Sequence, residues 1–117
     1  MGRPLLRRGE LWTAAGGQPY TTKPRPVLII QDDRFADTDS VTVCPITSDP
    51  TRADLLRIAL EPTSDNGLRH RSCVMADKVS TIPRARLGTR LGRIDRGSLS
   101  DVERAILVFL GFASPSR

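Results

Sequence analysis

The connections in this chain are too short to hold crossover helices, and that limits its possible folds more than any other feature. Short apolar runs at 9–14, 25–31, 41–47, 55–60, 72–79 and 87–94 follow one another across stretches rich in Gly, Pro, Asp, Asn and Ser. Runs of that length bounded by turn residues read as strands. Parallel neighbours need a crossover of a dozen residues or more, usually a helix. Helical spacing occurs once, at the end, where Val102, Ile106, Leu107 and Leu110 recur before Gly111. A doubly wound α/β fold is therefore excluded. The economical arrangement is a small, strongly bent antiparallel sheet or barrel capped by one C-terminal helix. At 117 residues the chain suits a single domain spanning 1–117, with a basic arm at 1–8 and a loose tail at 113–117.

Local signals refine this outline. Asn66-Gly67 supplies the positive backbone angle of a tight turn. Pro45 cannot donate to a ladder, so the third strand is expected to end or bulge there, shortly before Thr47. Ser100 and Glu103 form a capping-box pattern, placing the helix start near 98–103. Cys44 and Cys73 lie in apolar segments without clustered Cys or His, which points to buried thiols and away from a disulfide framework or a zinc site. No apolar run is long enough to span a bilayer, and the basic N-terminus lacks a signal-peptide core, so a cytoplasmic location is expected.

Charge bears on partners. The formal net charge is +5, which favours nucleic acid, an acidic protein or an anionic surface. Aromatics make up only 4% of residues, which argues against a module built on base-stacking aromatics. The basic stretch Lys23-Pro24-Arg25-Pro26 leads straight into Val27-Leu28-Ile29-Ile30. Pro26 restricts Arg25 to an extended backbone, so a guanidinium stands at a stiffened strand mouth, suited to gripping a phosphate. The loop before it, 16–24, is long for a hairpin.

The order of motifs resembles the MazF/PemK family of toxins from bacterial toxin–antitoxin pairs. The motifs are Arg8-Gly9-Glu10-Leu11-Trp12, Arg25-Pro26-Val27-Leu28-Ile29-Ile30, Pro45-Ile46-Thr47, Gly67-Leu68, Ser72 through Lys78, Arg86-Leu87 and Leu110-Gly111-Phe112. Each is weak alone, but together they are in register over roughly 7–112. The resemblance implies a small SH3-like barrel of the CcdB/PemK type and a homodimer. It implies an endoribonuclease that needs no metal or other cofactor and cuts single-stranded RNA at short sequences. It also implies a cognate antitoxin whose acidic C-terminal segment occupies the dimer groove. Carried over by position, Arg25 matches the catalytic arginine, Thr47 the catalytic threonine, and Asp77 an acidic position lining the groove. Tyr20, Lys23, Lys78, Arg84 and Arg86 are the further candidates for RNA contact. Two positions depart from the common pattern: the Lys-Pro-Arg-Pro turn, and Lys78 where glutamine is commoner. Both lie on the expected RNA path and bear on sequence preference.

RNA can be cut without a metal because its own 2′-hydroxyl is the nucleophile. A two-histidine acid–base pair is excluded within one chain, since His70 is the only histidine and sits between Arg69 and Arg71. An arginine stays protonated far above neutral pH and makes a poor base, but a good neutraliser of phosphate charge. Asp77 stands open between two roles, general base or ion-pair partner of an arginine. Two other functions fit the same fold: a gyrase poison like the CcdB family, which acts through a C-terminal tryptophan that this chain lacks, and a non-catalytic RNA- or protein-binding barrel.

Overall fold

The computed structural model describes residues 3–16, 23–49 and 56–115. The strands are β1 (Glu10–Ala14), β2 (Arg25–Ile29), β3 (Ser40–Thr47), β4 (Arg57–Leu60), β5 (Ser72–Met75), β6 (Ser80–Pro83) and β7 (Leu87–Arg93), and the helix is α1 (Arg96–Phe109). They form one bent antiparallel sheet in the order β4-β5-β3-β2-β1-β7, with β6 also on β3. The mainly β, barrel-like fold with a C-terminal helix is the one expected. Its strand pairing stays open between β4 and β7, and the turn after β4 lies across that gap. The Arg93 amide donates to the Asp65 carbonyl at 2.8 Å, and Gly92 lets the 65–66 backbone approach closely.

Alternation explains the apolar runs. Leu11, Leu28, Cys44 and Ile46 point to one face, where they meet Leu60, Val74 and Val102. Trp12, Val27, Ile29, Val41 and Val43 point to the other, where Leu6 joins them. Both faces of the central strands are thus covered, so their sequences are continuously apolar instead of alternating. Trp12 is buried, and its indole N–H donates to Glu10 Oε1 at 3.1 Å. Both cysteines are buried free thiols, and burial pushes the Cys44 thiol up to about 12.

Several expectations are corrected. The basic arm is packed onto the domain over its described part: Leu6 is only 3% exposed, its amide donates to Ala36 O at 3.4 Å, and Arg3 pairs with Asp37 at 2.9 Å. Leu6 is needed to close the second face. Pro45 neither ends nor bulges β3, which runs on to Thr47. On one edge β3 pairs with β6 through Val43 and with β5 from Ile46, so Pro45 falls where no neighbour needs a donor. The run expected as one strand over 72–79 breaks at Met75 into a 3₁₀ turn, Ala76–Lys78. That turn carries the chain from one end of β3 to the other and starts β6, which the sequence did not reveal. The helix begins at Arg96, one turn earlier than expected. Asp95 caps it by accepting from the Ser98 amide at 2.9 Å and the Ser98 hydroxyl at 2.7 Å. Ser100 and Glu103 make no box; Glu103 reaches Arg8 at 3.2 Å. Gly67 and Gly111 do adopt positive φ, +71° and +84°, at the expected turn and helix end.

Candidate active site

Arg25 opens β2 opposite Ala14, the last residue of β1. Two residues on, Val27 faces Pro45 of β3. Arg25 opens β2 two residues before Val27 and Thr47 ends β3 two residues beyond Pro45, so the two stand at the same end of this strand pair. The two side chains line a single concavity of about 340 Å³, together with Lys23 and Arg86. Its floor is apolar, from Val27, Val43, Ile46, Met75 and Ile82. No carboxylate lines it among the described residues. The site is therefore a greasy hollow with a cationic rim, which attracts an anion and offers it no competing acid.

Side-chain partners separate cations already engaged within the fold from those that are not. Among the described residues the guanidinium of exposed Arg25 has no hydrogen-bond or ion-pair partner. Thr47 Oγ1 accepts from the Asp49 amide at 3.1 Å, which orients the hydroxyl and leaves its O–H to donate. A side chain fixed this way is pre-organised to hold a phosphate oxygen.

Other candidates are placed elsewhere. Asp77 lines neither this concavity nor the one beside it, because both of its oxygens accept from Arg57, at 2.8 and 3.1 Å. The hydrogen bonds from Arg57 hold its carboxyl below the usual range, the opposite of what a base at neutral pH needs. Of the two roles left open for Asp77, the ion pair is the one the structure displays. Lys78 is exposed at the end of the 3₁₀ turn, outside both concavities. Arg84 is a backbone clamp, donating to Thr38 O at 2.9 Å, Pro4 O at 2.7 Å and Ala36 O. With its donors directed inward it is not disposed to contact RNA. Tyr20 lies outside the described residues. The sequence reading also missed a second concavity of about 400 Å³ on the far side of Arg25, walled by Leu68, Arg69, His70 and Leu91. The basic run after Gly67 was its only signal. A hollow of about 880 Å³ near Asn66 and Gly92 mixes Glu61, Asp65 and Asp95 with Arg90 and Arg93, and lacks the one-signed rim.

The fold and this rim define a class: a small bent antiparallel β domain with a terminal helix and a cation-rimmed hollow at the mouth of β2 that carries no carboxylate among the described residues. The family described as PemK-like, MazF-like toxin of type II toxin-antitoxin system matches residues 7–110, and the chain belongs to that family. It is 55% identical over 108 residues to a probable endoribonuclease MazF of Mycolicibacterium smegmatis, covering 92% of this chain and 99% of that protein. It is 26% identical over 117 residues to endoribonuclease MazF9 of Mycobacterium tuberculosis, covering 91% and 97%. Among solved structures, an endoribonuclease in complex with its cognate antitoxin from a mycobacterial species superposes with a TM-score of 0.77 at 25% identity, covering 92% of this chain and 97% of that one.

Proposed function

We propose that the chain is the toxin of a toxin–antitoxin pair and a sequence-specific endoribonuclease acting on single-stranded RNA in the cytoplasm without a metal. The observation that carries this reading is the meeting of Arg25, unpaired among the described residues, and hydroxyl-bearing Thr47 on one hollow whose described lining holds no carboxylate. In the proposed reaction the 2′-hydroxyl gives its proton to solvent as its oxygen attacks the adjacent phosphorus, the bond to the 5′-oxygen breaks, and that oxygen takes a proton that Arg25 regains from solvent. The products are a 2′,3′-cyclic phosphate and a 5′-hydroxyl. Arg25 neutralises the charge that grows on the phosphate and supplies the proton at the leaving oxygen. Thr47 donates to a non-bridging oxygen and keeps the phosphorus in line. Lys23 and Arg86 hold flanking phosphates. No side-chain base is assigned, since Asp77 is engaged by Arg57 away from the hollow and no carboxylate lines the hollow among the described residues.

Relatives bearing the endoribonuclease name, and a solved complex of one with its antitoxin, support the same reading. The cognate antitoxin would offer an acidic segment to the cationic rim, competing with RNA for one field. The test is incubation with a long single-stranded RNA in EDTA. Cleavage leaving cyclic-phosphate ends, lost by roughly 10²–10³-fold in Arg25→Ala, is expected. Intact RNA with stalled gyrase complexes would point to a gyrase poison, and RNA binding without either effect to a non-catalytic barrel.

A further inference from the structure

Arg25 does not sit inside one hollow but on the ridge between two. Arg25, Pro26 and Ile46 line both the concavity that holds Thr47 and the one that holds Arg69 and His70. A strand whose phosphate is gripped at that ridge must lower one nucleotide to either side. The two hollows, about 340 and 400 Å³, both fall in the range of small-ligand sites, about 300–1,000 Å³.

The second hollow has the chemistry of a nucleobase seat. Leu68 and Leu91 give it apolar walls, while Ser48 and Ser72 add polar groups. Among the described residues lining either hollow, the imidazole of His70 is the one aromatic ring. Unstacked bases of single-stranded RNA are held by stacking on such rings or on arginine planes and by hydrogen bonds to their edges. The segment carrying His70 is braced. Asn66, itself buried, accepts from the Thr63 amide at 3.0 Å and the Leu68 amide at 2.9 Å, and donates to Glu61 O at 2.9 Å. The Ser72 hydroxyl donates to the His70 carbonyl at 2.8 Å. Of the three basic residues in a row, Arg71 pairs with Glu61 at 2.9 Å, whereas Arg69 and His70 line the hollow and Arg69 has no partner among the described residues.

We infer that this second hollow seats the nucleotide adjoining the scissile phosphate, with His70 stacking on its base and Arg69 reading its edge or holding its phosphate, so that His70 determines specificity. The inference rests on the ribonuclease reading above. It is tested by cleaving a single-stranded RNA randomised around a preferred cut, comparing the full chain with His70→Ala, His70→Phe and Arg71→Ala. His70→Ala should lower kcat/KM at the preferred site by about 5- to 100-fold, mostly through KM, and flatten the base preference at one position beside the cut. His70→Phe should restore much of the binding, and Arg71→Ala should match the wild type in both respects. Thermal melts of His70→Ala should coincide with wild type, since the side chain is exposed. A His70→Ala protein that cuts with unchanged kcat/KM and unchanged preference overturns the inference, as does an Arg71→Ala protein that behaves like it. A wild-type chain that leaves the RNA intact brings down the ribonuclease reading itself.

Discussion

At the scale of single residues, the site separates side chains by what they already bond. Thr47 has its oxygen held by a backbone amide and its O–H without a partner among the described residues, so on the proposed reading the hydroxyl acts and the methyl does not. Thr47→Val keeps the shape and removes the donor, and is expected to lower the cleavage rate by roughly 10- to 100-fold, as loss of a hydrogen bond to a charged group should. Thr47→Ser should stay within a few-fold of wild type in the same assay. Asp77 makes a different prediction. Its folded carboxyl titrates below its unfolded value, near about 3.9, because of the Arg57 hydrogen bonds. Between those two values the unfolded chain binds the extra proton, so stability rises with pH there. The Asp77 contribution is present above about pH 4 and is lost as pH falls through the lowered value. The gap in melting temperature between wild type and Asp77→Asn should accordingly be open at pH 7 and narrow below about pH 4. An equal gap at all pH values would deny the ion pair that role.

At the scale of elements, short segments are fixed by backbone demands that the sequence only half discloses. The Asn66-Gly67 turn was legible because positive φ there favours glycine. What was not legible is the reason the turn is tight. A Cβ on Gly67 would run into the Leu91 carbonyl of β7, so this turn is also the piece that lies across the open side of the sheet. Gly67→Ala should therefore cost about 2 kcal/mol or more, from strained φ and a backbone collision together, read as a lowered denaturation midpoint. Arg84 shows the converse. From its neighbours it looked like one more phosphate contact, yet its donors tie the 36–38 turn to the N-terminal strap. Arg84→Ala is expected to destabilise by about 1–2 kcal/mol and to leave RNA cleavage within a few-fold of wild type. The helix start was misplaced for a related reason: a capping-box pattern and an Asx cap compete one turn apart, and packing chose Asp95.

At the scale of the whole molecule, charge and exposed apolar surface divide the labour. The rim at the mouth of β2 is cationic, while the end of α1 and the residues just after it leave Leu107, Phe109, Leu110 and Phe112 exposed, Phe112 to 77%. No helix among the described residues is long and apolar enough to cross a membrane. Large apolar side chains grouped at one helix end fit a protein surface. The homodimer implied by the family resemblance would cover them. Sizing at micromolar concentration should give about twice 12.9 kDa, and Leu110→Asp should shift the elution toward the single chain. A wild-type monomer at that concentration would remove this interface.

The sequence by itself determined the antiparallel class, the terminal helix and the positive-φ glycines, because strand length and turn chemistry are local properties; Arg25 and Thr47 were candidates through the motif resemblance, and both line one hollow. Only the tertiary structure decided which cations are free. Arg84 and Arg25 are the same residue type near the ends of strands, and nothing local tells a guanidinium that faces three carbonyls from one that faces an empty hollow. The same holds for Asp77, whose role depends on an arginine twenty residues away, and for His70, which joins Arg25 only because the turn after β4 folds back against β7. Long-range partners set those roles, and a linear pattern carries no distance between them.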